Sequence, residues 1–344
     1  MKTTKKLSPL ATSLTMVALT FLASIAIGPI LIPPNTLVTI LASKLPGVAI
    51  DPYWPESFNT ILFSVRLPHA ALIMITGAAL GGSGAAYQGV FRNPLADPYL
   101  IGVASGAGLG AIVAMSIQWP NNLLGMYTVP LAAFLGALAA VAAVYSVARL
   151  GNTLPTTSLI LAGVAISSFS TALTSFLMLR SNQELRRALG WLLGGGMLSG
   201  WDPVLAALPY ITVGLLILVA SGHALNVLQF GEEQATQLGL PAEKVKAGII
   251  LAASMTTAAA VAFSGIIGFI GLIVPHVARI FWGPDYRKLI PLSISGGASA
   301  LLVADLIARN LLSPQVLPVG IVTALAGAPF FLWVLRRHKN QTFW

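Results

Sequence analysis

Apolar residues in this chain run in long uninterrupted blocks, and charge is absent from Leu7 to Ser43, Leu67 to Phe91, Pro98 to Ala148, Leu150 to Leu179 and Ala247 to Ala278. Each block exceeds the ~20 residues that a membrane-spanning helix needs. No ten-residue segments alternate polar with apolar positions, so the pattern predicts helices and not a β-barrel. Splitting the blocks at their proline, glycine and polar breaks predicts ten spans, starting near residues 10, 67, 99, 127, 157, 203, 247, 266, 289 and 316. The seventh and eighth are divided only by Ser264 and Gly265. Without that break the count falls to nine and the C-terminus changes sides.

Composition agrees with an all-α polytopic membrane protein. The chain is 56% hydrophobic and only 8% charged, where a soluble surface requires about a quarter charged residues. A net charge of +9 raises the thought of nucleic acid, but the Lys and Arg are scattered between apolar runs and build no basic face. Zero cysteines exclude disulfides and Cys-ligated metal centres. The leading MKTTKK and the apolar stretch Leu10 to Ile32 read as a retained first span, since the stretch is longer than a signal-peptide core and lacks a clear cleavage site. With the N-terminus inside, 13 of the 19 Lys and Arg fall in the cytoplasm, which predicts both termini cytoplasmic. Arg66 and Arg309 are exceptions, placed at the outer ends of spans where membrane insertion calls for no cation. The longest hydrophilic pieces are Pro33 to Val65 outside and His223 to Val245 inside, so residues 1–344 read as one membrane domain.

Three local patterns stand out. Between Gln88 and Gly110 the chain reads QGVFRNPLADPYLIGVASGAGLG. Pro94 and Pro98 remove backbone donors and push their predecessors out of the α region, so one helix stops near Arg92 and the next starts at about Tyr99, with a tight charged turn between. Gly77 and Gly81, and likewise Gly102, Gly106 and Gly110, recur every fourth residue, a spacing that lets helices approach closely in lipid. The segment FGEEQATQLGLPAEKVK, Phe230 to Lys246, predicts two short helices around a Gly-Leu-Pro corner. Glu232 and Glu233 start the first, Gly239 caps it, and Pro241 begins a second that ends in Lys244 and Lys246. Gly-Lys never occurs, so a phosphate-cradling P-loop is excluded. His69, His223, His276 and His338 lie far apart, and no HExxH appears. Asp305 and Arg309 stand at i, i+4 with the acid first, the favourable order for a helical ion pair.

RLPHA (Arg66 to Ala70), the QGVFRNPLADPYLIG segment and GFIGLIVPHVAR (Gly268 to Arg279) together resemble the permease subunits of ABC importers for iron-siderophores, haem and cobalamin, over the chain from Arg66 to the C-terminus. The resemblance implies a homodimer in the cell membrane with the pathway at the subunit interface. It also implies two copies of a separate ATPase subunit, which binds ATP and Mg, and one extracytoplasmic substrate-binding protein; no cofactor is expected in this chain. By the same resemblance the segment 226–246 docks the ATPase, with Leu238, Gly239, Leu240 and Pro241 in the coupling contact. Arg66 and Arg309 match arginines that meet glutamates of the binding protein, and His69 stands in place of a third, which would weaken docking or make it pH-sensitive. Asn93 and Leu95 match one side of a cytoplasmic gate, and Thr156 and Thr157 its polar partner. Local chemistry alone reads Asn93 as a turn residue and the threonines as helix caps. Ferric siderophore is the first expected cargo, with cobalamin and haem behind it. The rival from another class, an ion-driven secondary transporter, would need carboxylates or histidines buried mid-span. Asp97, Asp285, Glu232, Glu233 and Glu243 instead read as loop residues, and Asp305 lies near a span end.

Overall fold

The computed structural model describes residues 8–44, 46–47, 50–117, 123–151, 153–180, 185–196 and 199–337; Lys2, Lys5, Lys6, His338 and Lys339, which enter the charge count or the histidine survey, lie outside them. Helix α1 (Pro9–Ala26) starts with proline in its first turn, and Ser8 Oγ accepts from the Ala11 amide at 3.2 Å. The outer segment that reads as hydrophilic carries α2 (Pro34–Ala42) and α3 (Glu56–Thr60), and buries Leu37, Ile40 and Trp54. Through a π-helical stretch, Ile61–Arg66, α3 continues into α4 (Leu67–Val90). A 3-10 turn, Pro98–Ile101, leads into α5 (Val103–Met115). Next come α6 (Leu123–Ala148), α7 (Thr156–Arg180), α8 (Leu185–Leu192), α9 (Asp202–Ala220), α10 (Gly222–Leu228) and α11 (Glu232–Gln237). The chain closes with α12 (Ala242–Ser264), α13 (Ile270–Trp282), α14 (Tyr286–Asn310) and α15 (Val319–Arg337). No strand forms among the described residues.

Seven of these helices are long and apolar enough to cross a membrane, and α5, α13 and α15 are shorter apolar helices. Together they reproduce the ten expected spans, and α12 ends at Ser264, so the seventh and eighth are separate. Helices α4, α12 and α14 form the interior, while α1 lies outside them against α14, where Ser295 Oγ donates to Ser13 Oγ at 3.0 Å.

Glycine decides how closely α4 approaches its neighbours. A Cβ on Gly77 would collide with the Gly297 carbonyl of α14, one on Gly81 with the Ser293 carbonyl, and one on Gly84 with Gly271 of α13. With no hydrophobic force between helices in lipid, such backbone contact is what binds them. Gly106 and Gly110 meet Gly136 and Ala132 of α6 in the same way. Gly102 leaves the expected stripe. It adopts φ +85° just before α5 and turns the chain, a conformation that costs a non-glycine residue about 1–2 kcal/mol.

The segment after Val90 differs from a tight turn. Pro98 lies against Gly271, 2.9 Å from where a Cβ there would stand, and the Leu80 carbonyl is equally close. Leu80 is ten residues before the end of α4, which at 1.5 Å per residue is about 15 Å into the helix. Residues 92–97 therefore climb back into the bundle before α5 begins. From the other side, residues 265–269 descend to the same level before α13 begins. Tyr99 pins the two breaks together, its hydroxyl donating to the Ile267 carbonyl at 2.8 Å and accepting from the Ile267 amide at 3.2 Å. Backbone at both breaks finds partners inside protein: the Ile266 amide donates to the Trp191 carbonyl at 3.4 Å and the Asn93 amide to the Gln88 carbonyl at 3.1 Å, the kind of internal partner that a membrane requires.

Candidate functional site

On the face that carries α11, the expected knob forms. Helix α11 ends in a Schellman turn: the Gly239 amide donates to the Thr236 carbonyl and the Leu240 amide to the Ala235 carbonyl, each at 3.0 Å, with Gly239 at φ +87°. Leu238 at the corner is 69% exposed, and space around Gly239 is open. The second short helix is not separate. It is the first turn of α12, which continues unbroken through Lys246 and past Gly248 into the bundle.

Lys244 points outward, but Lys246 is only 1% exposed. Its Nζ donates to Glu232 Oε1 of α11 at 2.7 Å and to the Leu154 carbonyl at 2.6 Å, with Glu243 Oε1 at 3.7 Å. The other Glu243 oxygen accepts from the Leu154 amide at 3.1 Å. Partial burial pushes the Glu232 carboxyl up, yet the bond and charge of Lys246, aided by Arg92, leave it below its ordinary value.

The gate candidates occupy the two loops beside this cluster. Asn93 Oδ1 accepts from the Leu95 amide at 2.9 Å, which makes it the turn residue that local chemistry predicts. Asp97 caps the 3-10 turn, accepting from the Tyr99 amide at 2.8 Å. Thr156 and Thr157 open α7, two and three residues past Leu154, with Thr157 exposed. Within one chain no hydrogen bond joins Asn93 or Leu95 to either threonine among the described residues.

At the opposite end, Arg66 and Arg309 converge on the last turn of α1. Arg66 is 6% exposed, and its Nη1 donates to the carbonyls of Ile25 (3.1 Å) and Ala26 (3.0 Å), while Nη2 donates to that of Ile30. It thus serves carbonyls that the end of α1 leaves without helical partners. Arg309 Nε donates to Asp305 Oδ2 at 2.8 Å, and its Nη2 donates to Ser24 Oγ at 2.9 Å and to the Ser24 carbonyl at 3.2 Å. His69 Nε2 lies 2.9 Å from the other oxygen of Asp305. The predicted i, i+4 pair is present, enlarged by a histidine from α4.

Residues 16–337 match the FecCD transport family. The chain belongs to that family. It is 42% identical over 332 residues to the cobalamin import system permease protein BtuC of Halobacterium salinarum, covering 94% of this chain and 88% of that protein. Identity is 39% to the hemin transport system permease protein HmuU of Yersinia pestis, over 84% of this chain and 88% of the other. An uncharacterized ABC transporter permease protein of Bacillus subtilis, YvrB, is 41% identical over 82% of this chain and 81% of its own length. Among solved structures, one described as an inward-facing conformation of a metal-chelate type ABC transporter superposes with a TM-score of 0.78 at 28% identity, covering 96% of this chain and 98% of that one. The expected all-α, multi-pass permease is therefore what this FecCD protein is.

Sequence reasoning about this FecCD permease missed Lys246, counting it as one more membrane-flanking cation. Lys244 and Lys246 are two apart, so on a helix they face nearly opposite ways. That spacing was the available signal that one of them turns inward. Nothing local could name Leu154, 92 residues away, as its acceptor.

Proposed function

We propose that this chain is the permease subunit of a binding-protein-dependent ABC importer and carries a bulky metal chelate inward, with ATP hydrolysed by a separate subunit. The observation that carries the reading is the knob: an exposed Leu238 at a glycine corner, on a helix whose base is bonded into the bundle through Lys246. An exposed apolar tip with a rigid root suits a surface that receives force from a partner. Membership of the FecCD family and the names of the relatives support the same assignment. A homodimer with the pathway between the copies, two ATPase subunits below and one binding protein above complete the proposed assembly. Ferric siderophore is the first cargo, and cobalamin and haem are the alternatives. The ion-driven reading lacks support: Asp305, the buried carboxylate of α14, sits near a helix end with both oxygens engaged by His69 and Arg309, and Asp97, which the re-entry carries into the bundle rather than leaving in a surface loop, is tied to the Tyr99 amide as the cap of the 3-10 turn.

Docking of the binding protein through Arg66 and Arg309 is part of the proposal, with a condition set by geometry. Each guanidinium already serves carbonyls or Asp305, so a partner glutamate must share or exchange these acceptors. Arg66→Glu and Arg309→Glu are expected to weaken binding-protein affinity at low ionic strength, where charge attraction is least screened. Unchanged affinity in both would remove these residues from the contact.

Uptake of radiolabelled ferric siderophore, cobalamin and haemin, compared in cells with and without this chain, tests the cargo. Loss of one chelate identifies it. Uptake that survives ATP depletion but collapses with the ion gradient would replace the importer reading with the secondary transporter.

A further inference from the structure

We infer that Lys246, with Glu232 and Glu243, links the partner-facing knob to the loop that opens α7, so that movement of the knob repositions that loop directly. The inference rests on the importer reading and assigns it a transmission residue. Its basis is a continuous set of bonds across three segments distant in sequence. Glu232 is the first residue of α11, Glu243 and Lys246 stand in the first turns of α12, and Leu154 lies in the connection between α6 and α7.

The connection is gripped at two points of one residue. Lys246 Nζ holds the Leu154 carbonyl at 2.6 Å and Glu243 holds the Leu154 amide at 3.1 Å. Two opposed bonds on one peptide segment fix its orientation as well as its position. Pro155 follows, which restricts the backbone further, and α7 begins at Thr156. A displacement of Leu154 is therefore passed to the first turn of α7 with little slack.

The same knob reaches the other loop. Arg92, at φ +48° just past α4, contributes to the field at Glu232, and its Nη1 lies 3.6 Å from where a Cβ on Gly231 would stand. One glutamate at the root of α11 thus faces cations tied to both segments that carry gate candidates, residues 91–97 and 149–157. A lysine whose sole task was to flank the membrane would extend into solvent. Lys246 is buried instead, and a desolvated cation is retained where its partners satisfy it fully.

The cysteine-free sequence permits a clean test. Thr153→Cys places one thiol per copy of this chain at an exposed position next to Leu154, outside the gate candidates, and its maleimide labelling is followed with and without ATP and vanadate. The protein is the complete assembly with ATPase and binding protein in proteoliposomes, with cyanocobalamin and a ferric hydroxamate as uptake probes. With Lys246 intact, ATP is expected to change the labelling rate. Lys246→Met in the same background is expected to shrink that change and the uptake per ATP hydrolysed at least about fivefold, the low end of site-to-site coupling. Lys246→Arg should restore part of both. Glu232→Gln, which removes only a charge from a partly exposed side chain, should give the same loss in an unchanged fold, and covers the case in which Lys246→Met does not assemble. An undiminished ATP response and coupling ratio in Glu232→Gln, or in an assembled Lys246→Met, overturns the link while leaving the importer reading in place. Absence of any ATP response and of uptake in the protein with Lys246 intact overturns both.

Discussion

The two oxygens of Asp305 serve two different helices: His69 of α4 takes one and Arg309 of α14 the other, while Arg309 reaches on to Ser24 of α1. Removing one member of a buried pair leaves an uncompensated charge, typically about 3–5 kcal/mol. Asp305→Ala is therefore expected to lower the melting temperature in detergent sharply, more than Ser24→Ala, which removes a neutral hydroxyl; equal effects would show that α1 is not anchored through this cluster. Asp285 gives a pH-dependent prediction. Hydrogen bonds from Arg287, then from Asn226 (2.6 Å), hold its carboxyl well below the ordinary range, while it caps the first turn of α14. A depressed folded value means that the stabilisation is fully present above the unfolded value of about 3.9 and is lost as pH falls through the folded one. Melting curves of Asp285→Asn should lie below the parent at neutral pH and converge with it in strong acid; a constant gap across pH would argue against the ionised cap.

Helix contacts here are made by backbone, so the sensitive positions are those without side chains. Gly81 faces the Ser293 carbonyl and Gly77 the Gly297 carbonyl, and neither site has room for a Cβ. Gly81→Val is expected to force α4 and α14 apart, seen as protease sensitivity and loss of mature protein from membranes. Gly248→Val is the control, since space at Gly248 is open; equal loss in both would assign the effect to helix propensity. Broken elements follow the same economy. The 92–97 and 265–269 segments are tolerable at depth because each lies against protein and Tyr99 joins them.

For the whole molecule, the knob is where outside work would enter. Gly239→Val puts a β-branched residue at φ +87° and should disrupt the corner without touching the bundle, because nothing stands within 4 Å of that position. ATP hydrolysis by the assembly is expected to persist while uptake falls, measured as chelate moved per ATP; normal uptake would remove the coupling assignment from this corner. Much of the molecule was legible before its structure. Long charge-free blocks demand a membrane, proline and glycine mark where helices break, and the motifs from Arg66 onward carry the family, because all of these are local properties of the chain. Even the weak break at Ser264 and Gly265 and the i, i+4 pair of Asp305 with Arg309 were readable for that reason. Depth and partnership were not. The Pro94–Pro98 stretch reads as a tight charged turn between spans, and its packing against Gly271 corrects that reading to a re-entry into the bundle. Arg66 reads as an outer cation until Ile25 and Ala26, some 40 residues earlier, bring their carbonyls to it. Lys246 likewise takes its partner from 92 residues away. Local pattern determined which segments span the membrane and near which residues they break; the continuity of α12 past the knob, the depth of the breaks and the burial and employment of each charge were decided by contacts between segments, which exist only once the helices have packed.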